Sequence, residues 1–455
     1  MRVLIWCPMV NPGGGDRLLA RLVPAMTRQP GMDLVRLAVP AEVPAEKFTA
    51  GLTESEQSRL EVRFIAPKHG PQRPQGLAEG WLWNEKRTLG IPGTARLKRV
   101  ARQRLASPPS PEVTVAEWEQ EQLRSLSQDV DLVYVFWPHR QDFLAVDKPV
   151  VCTFQDATLL DYPELMGVAE TLIERARSAV WLKNSAQVIV SSDATRKNLI
   201  RLFGKQCASS VVVHHAILPA VVGQRSTKAD SPVLQRLPKQ YVVFPANLSA
   251  HKNHYNLLSA WARFTRRRDI PLVCFGNWTD LLNRSYTELD DYWQWTRLAS
   301  LIERKGLEHE QDFFALGYIH DEDVLALVNH ASALVMPTLA EGGGSYPVEE
   351  ALSLGVPVLC SDIPVLREHV KDRTARIGWF DPESPESIIR ALNDLFDNYA
   401  AYKQSAMDAM DDPRPSWDDV AAEYAAVFRT VLNRPQKQAD CATAPRDELA
   451  VASSA

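Results

Sequence analysis

The chain has 455 residues, 45% of them hydrophobic and 24% charged, with a formal net charge of −5. This is globular composition with ample sequence for two or three cores, and it excludes the global basic field of a nucleic-acid binder. Cys7, Cys152, Cys207, Cys274, Cys360 and Cys441 are scattered without a C-x-x-C pair, which excludes a disulfide framework or zinc module and points to a reducing, cytoplasmic setting.

The segment Met1–Cys7 has one basic residue and an apolar run too short for a signal peptide, and it is expected to form a buried first strand. No run reaches the roughly 18 apolar residues of a spanning helix. Further strands are expected at Leu34–Val39, Val62–Ile65, Leu132–Phe136, Val150–Phe154, Val188–Val190 and Val211–His214. An irregular Pro-, Gly- and Arg-rich insertion, about 68–113, interrupts this first domain, 1–220. A polar stretch, 221–239, reads as a linker. A second domain, 240–415, follows, with strands at Tyr241–Phe244, Leu272–Phe275, Phe313–Leu316, Ala333–Met336 and Pro357–Cys360. The runs are short, apolar on both faces and separated by helical patterns, as in α/β doubly wound parallel sheets. Ser416 is a fitting N-cap for a helix over 416–432, and the tail 434–455 lacks apolar periodicity and is expected to be disordered.

Ligands of such sheets bind beyond the carboxyl ends of the strands, so polar groups just after strands matter most. After Ala333–Met336 comes Glu341-Gly342-Gly343-Gly344-Ser345-Tyr346-Pro347-Val348-Glu349-Glu350. The glycines permit close backbone approach, Pro347 suits a first helical turn, and a helix start is an anion site. Carboxylates there accept hydrogen bonds from vicinal hydroxyls, as a sugar or ribose offers. Glu349 and Glu350 lie ~100° apart on a helix; Val348 and Leu352 mark the packed face, so Glu350 is the expected ligand-facing acid. After Tyr241–Phe244 comes Pro245-Ala246-Asn247, then Lys252 at a helix start, where an ammonium beside the positive pole suits a diphosphate.

These residues carry a resemblance. Residues 240–432 resemble the nucleotide-binding half of a family 4 retaining glycosyltransferase of the GT-B fold, two Rossmann-like domains facing a cleft with a C-terminal helix crossing back to the first. The resemblance implies that Lys252 binds the diphosphate and that Gly317, Tyr318 and Ile319 form the turn contacting the base. It further implies that Glu341 and the Gly342–Ser345 amides hold sugar hydroxyls, with Tyr346 beside them, and that Glu350 holds the ribose. Two departures stand out. The usual seven-residue spacing gives Glu341/Glu349, whereas the P-V-x-E-A register gives Glu350; and Asn247 replaces a common arginine.

In the first domain, Gly13-Gly14-Gly15 follows strand one and resembles the loop lying against diphosphate and acceptor. Gln155-Asp156 and Tyr162-Pro163-Glu164 resemble an H-D…YPE segment, with Gln155 in the histidine position. Glu341, Gln155 and Asp156 are therefore expected at the reacting centre. Ser191–Arg196 resembles a VSE-x-T turn. Asp129-Val130-Asp131 has metal-clamp spacing but precedes its strand, and His214-His215 point to opposite strand faces, so neither metal nor cofactor is expected. Lys86–Arg104 holds seven basic residues and no acid, after Trp81 and Trp83. It is either a solvated helix face or a peripheral contact with an anionic membrane, which would suit a lipid-linked acceptor.

The expected activity is transfer of a hexose, by resemblance mannose from GDP-mannose, onto a glycan or lipid-linked glycan of a cell-surface polysaccharide or lipopolysaccharide. The alternatives are an inactive GT-B chain that binds glycan or acts as a scaffold, and a nucleotide-sugar epimerase.

Overall fold

Short Val-, Leu- and Phe-rich segments pair into two wholly parallel sheets. The computed structural model describes residues 1–9, 14–65, 115–162, 167–216, 232–285 and 293–434. The insertion at 68–113, the basic stretch Lys86–Arg104, linker residues 221–231, Gly13, Pro163, Glu164 and the tail from 435 lie outside the described residues.

The first sheet contains β1 (Arg2–Trp6), β2 (Leu34–Pro40), β3 (Leu60–Ile65), β4 (Leu132–Val135), β5 (Val150–Phe154), β6 (Gln187–Val190) and β7 (Val211–Val212), in the order β3-β2-β1-β4-β5-β6-β7. The second contains β8 (Val242–Pro245), β9 (Leu272–Phe275), β10 (Phe313–Ala315), β11 (Ala333–Met336), β12 (Val358–Ser361) and β13 (Ile377–Phe380), in the order β10-β9-β8-β11-β12-β13. Central strands such as β4, β5, β11 and β12 are buried on both faces because helices cover both sides. β13 was not expected from the sequence: it is an edge strand whose Gly378 and half-exposed Ile377 and Trp379 break the apolar run. The expected Val211–His214 strand ends at Val212, and His214 turns outward to another partner.

Strand order reverses between β1 and β4 in the first sheet and between β8 and β11 in the second. Loops leaving these pairs diverge and open a crevice at each switch point. The motif-bearing loops after β1, β8 and β11 all leave from them.

The helix Trp417–Leu432 returns to the first domain. Ser416 and Asp419 form a reciprocal capping box at its start. Its Trp417, Val420, Tyr424 and Phe428 join Leu18, Leu22 and Met26 of the helix Gly14–Thr27 in one buried cluster over β1, β2 and β4. Each such buried side chain contributes roughly 1.5–3 kcal/mol. Tyr134 packs edge-on against Tyr424 at 5.5 Å, and Asp418 accepts from Arg28 Nε at 2.7 Å. The first domain's core is thus completed by the last described helix. Among the described residues, no helix is long and apolar enough to cross a membrane.

Candidate active site

The two lips of the cleft meet around the loop after β11. Gly342 lies so close to Gln155 that a Cβ would strike the Gln155 carbonyl, and a Cβ on Gly343 would strike His215 and Ser191. Gly344 has φ +135°, and its Cβ position is taken by the His369 ring. The sequence credits these glycines to ligand approach; in the structure each also admits a protein neighbour, two of them across the domain boundary. Ser192 Oγ donates to the Gly342 carbonyl at 3.2 Å, and Tyr162 Oη donates to the Leu339 carbonyl at 2.9 Å, which seats the loop.

Lys252 ends a 3-10 turn, Ala250–Lys252, and Asn253 in the left-handed region then starts the helix His254–Trp261. Lys252 Nζ donates to Glu341 Oε1 at 2.5 Å, with both side chains part-buried. Asn247, on the same loop, is exposed, and its Oδ1 accepts from the Asn277 N–H at 2.9 Å. Gly317, at φ +70°, has its N–H on Thr279 Oγ1 and its carbonyl on the Gly276 N–H. The Tyr318 ring beside it is 61% exposed, while Ile319 packs against the second core.

The adjacent glutamates separate cleanly. Glu349 is sealed: Arg373 Nε and Arg414 Nε contact its carboxylate at 3.0–3.2 Å, and the His369 ring lies 3.3 Å away. Glu350 points the other way, away from Val348 and Leu352, and accepts from Arg17 Nη1 at 3.1 Å. Arg17 belongs to the first domain's helix after β1, so this pair crosses the cleft. Ser345 is buried, and Tyr346 packs on the first domain's core, its hydroxyl without a partner among the described residues. Burial, with the negative charge of Glu350 adding, pushes the Tyr346 phenol well up.

On the first domain's lip, Gly14 opens the helix Gly14–Thr27, and a Cβ on Gly15 would meet only open space. Gln155 is buried; its Nε2 donates to the Phe136 carbonyl at 3.3 Å, and its Oε1 has no partner among the described residues. Asp156 Oδ1 accepts from the Thr158 N–H at 2.8 Å. His139, unremarked in the sequence, supports this turn. Its Nε2 contacts the Asp156 carbonyl at 3.0 Å and its Nδ1 contacts Glu174 Oε1 at 2.7 Å. A carbonyl and a carboxylate facing the two ring nitrogens favour the doubly protonated ring. Burial opposes that charge, but the Glu174 hydrogen bond and the charges of Asp156 and Glu174 outweigh it and raise the His139 pKa. The loop after β4 offered the same signal as the others, a polar residue just past a strand.

His215, weighed in the sequence only as a metal ligand, and His369, unremarked there, flank the glycines. Burial first, then the neighbouring His369 and His214, lowers the His215 pKa to about 3, and burial likewise lowers that of His369. Beside them in the seam Glu368 accepts from the Asp193 N–H at 2.7 Å, the Ala194 N–H at 2.9 Å and His214 Nε2 at 2.7 Å. A carboxylate of the second domain thereby caps the first domain's helix Asp193–Phe203. An open groove of about 510 Å³ lies here, lined by Arg196, Lys197, His214 and Lys371 among others. The chemistry points to the Lys252–Glu341 loops instead, where acids and cations converge at the switch point.

Asp129 is engaged by Arg2 and Arg36, and Asp131 Oδ2 accepts from the Arg2 N–H. Both aspartates of the D-x-D are therefore spent at the amino-terminal ends of β1 and β4, opposite the carboxyl lip. Among the described residues, no three His, Cys, Asp or Glu side chains gather with metal-binding geometry.

Two parallel-sheet domains with helices on both faces and a cleft between their carboxyl lips constitute the GT-B fold. The structure of Anabaena Alr3699/HepE in complex with UDP and glucose superimposes with a TM-score of 0.62 at 16% identity, covering 94% of this chain and all of that one. Residues 227–409 match the model of the glycosyl transferases group 1 family, and the chain carries a domain of that family. It is 30% identical over 245 residues to the O-antigen chain mannosyltransferase B of Escherichia coli, over 52% of this chain and 58% of that protein. It is 31% identical over 165 residues to the serotype-specific mannosyltransferase WbdA of Escherichia coli, over 34% of this chain and 19% of that one. The chain thus spans little more than half of one relative and a fifth of the other.

Proposed function

We propose that the chain transfers a hexose from a nucleotide sugar onto a glycan or lipid-linked glycan during cell-surface polysaccharide synthesis, with GDP-mannose as donor, acting in the cytoplasm. The observation that carries this reading is the Lys252–Glu341 pair at the second sheet's switch point, with Glu350 on the next helix. A cation for phosphate and two acids for hydroxyls stand where a nucleotide sugar would lie. The mannosyltransferase relatives support the sugar, and the UDP and glucose of the Anabaena neighbour support a nucleotide-sugar ligand.

Catalysis on this reading is positioning and electrostatics. Lys252 and the helix pole beside it stabilise the diphosphate as the C–O bond to the sugar breaks, with no metal required. Glu341 fixes the sugar through its hydroxyls. The acceptor hydroxyl attacks from the face the diphosphate leaves, its proton passes to the departing phosphate oxygen, and the anomeric configuration is retained. Gln155 has no titration near neutral pH and serves as a hydrogen-bonding wall.

The test is a thermal-shift panel of GDP-mannose, UDP-glucose and related donors, followed by nucleotide release with candidate glycolipids and NMR of the product anomer. Selective stabilisation by GDP-mannose and acceptor-dependent GDP release are expected. If no nucleotide sugar stabilises the protein, the reading falls; an inverted product overturns its stereochemistry.

A further inference from the structure

The cation supply around the proposed donor site is divided between the two domains. On the second domain's lip Lys252 is paired with Glu341, and Asn247 is already engaged with the Asn277 N–H. A nucleotide-sugar diphosphate is doubly charged, and Lys252 with the helix pole beside it answers only part of that charge. Across the cleft, Arg17 stands near the start of the helix that follows the glycine turn, and Glu350 holds it at 3.1 Å. Glu350 is the acid assigned above to the ribose, whose 5′-oxygen carries the diphosphate directly. The carboxylate beside Arg17 in sequence, Asp16, is paired with Lys47.

We propose that Arg17 is a donor-binding residue, and that its guanidinium, oriented by Glu350, binds the diphosphate of the nucleotide donor from the first domain. A guanidinium has five N–H donors in a planar fork and can bridge a carboxylate and a phosphate together, which a lysine cannot do with equal rigidity. Arg17 supplies the positive charge that Asn247 lacks. Because it belongs to the opposite domain, the diphosphate is held from both lips. The inference rests on the donor-site reading given under Proposed function.

The test is calorimetric titration of the full chain and its Arg17→Gln variant with GDP and UDP, and with GMP and UMP. Arg17→Gln is expected to weaken the preferred diphosphate by about 10- to 100-fold, the range for losing a charge-assisted hydrogen bond. The corresponding monophosphate should lose much less. A folded Arg17→Gln variant with undiminished diphosphate affinity overturns the proposal and leaves the donor site standing. Equal losses for mono- and diphosphate also overturn it, since they show only a structural role at the seam. If the unaltered chain binds none of the four nucleotides, the donor-site reading itself fails. Should Arg17→Gln not fold, Arg17→Lys decides: a partial loss confined to the diphosphate supports the proposal, and an unchanged affinity refutes it.

Discussion

In the seam between the domains, Glu368 takes two backbone N–H groups at a helix start and the His214 ring. On the proposed donor loops, Glu341 and Glu350 meet Lys252 and Arg17, cations on long side chains. Backbone donors cannot swing away without unwinding a helix, whereas a cation on a flexible stem rotates readily toward a ligand. The first set therefore behaves as a fastening and the second as an exchangeable set of partners. Glu349 belongs with the first kind despite being the sequence neighbour of Glu350, because Arg373 and Arg414 enclose it below the surface.

Glu349→Ala should be the most damaging change. It leaves two buried guanidiniums without their carboxylate, which costs about 3–5 kcal/mol. Thermal unfolding measures this, and a loss under about 1 kcal/mol would place Glu349 among the exchangeable acids. Glu341→Ala should abolish transfer, by at least about 100-fold, as for removal of one preorganised polar contact to the reacting group. Its melting curve should stay near that of the unaltered chain, and retained turnover would count against the site. Glu368→Ala should cost about 1–2 kcal/mol, the worth of a helix cap, and should increase the radius of gyration in small-angle scattering as the seam loosens. An unchanged scattering profile would show that the fastening lies elsewhere.

The smallest effect concerns His139, whose pKa is raised in the folded chain by Glu174 and Asp156 against the opposing effect of burial. A raised basic pKa stabilises fully below the unfolded imidazole value, about 6.5, and the contribution fades as pH climbs through the folded value. The stability gap between the unaltered chain and His139→Gln should therefore be widest below that pH and shrink above it. A gap that widens with pH would mean that His139 is neutral.

Most of the architecture was legible because parallel strands buried on both faces leave uninterrupted apolar runs, as in Leu132–Val135 and Ala333–Met336. β13 escaped because an edge strand need not be apolar throughout. The loops of Lys252, Glu341 and Glu350 were legible from glycine, proline and carboxylate chemistry next to strands. Arg17 and Glu368 were not, since their meaning lies in partners 333 and about 175 residues distant, which only the assembled domains bring together. Which of the two adjacent glutamates faces the cleft could be argued from helical phase, but the arginines that seal Glu349 come from Arg373 and Arg414, beyond any local pattern.

The helix Trp417–Leu432 has a consequence for biosynthesis. While the ribosome is still making the second half, the face formed by Leu18, Leu22 and Met26 waits uncovered. Nascent chains tend to settle domain by domain from the amino end, but here the earlier half cannot close its core until residues near 430 have emerged. The later half can finish first, while that apolar surface is still waiting for its cover.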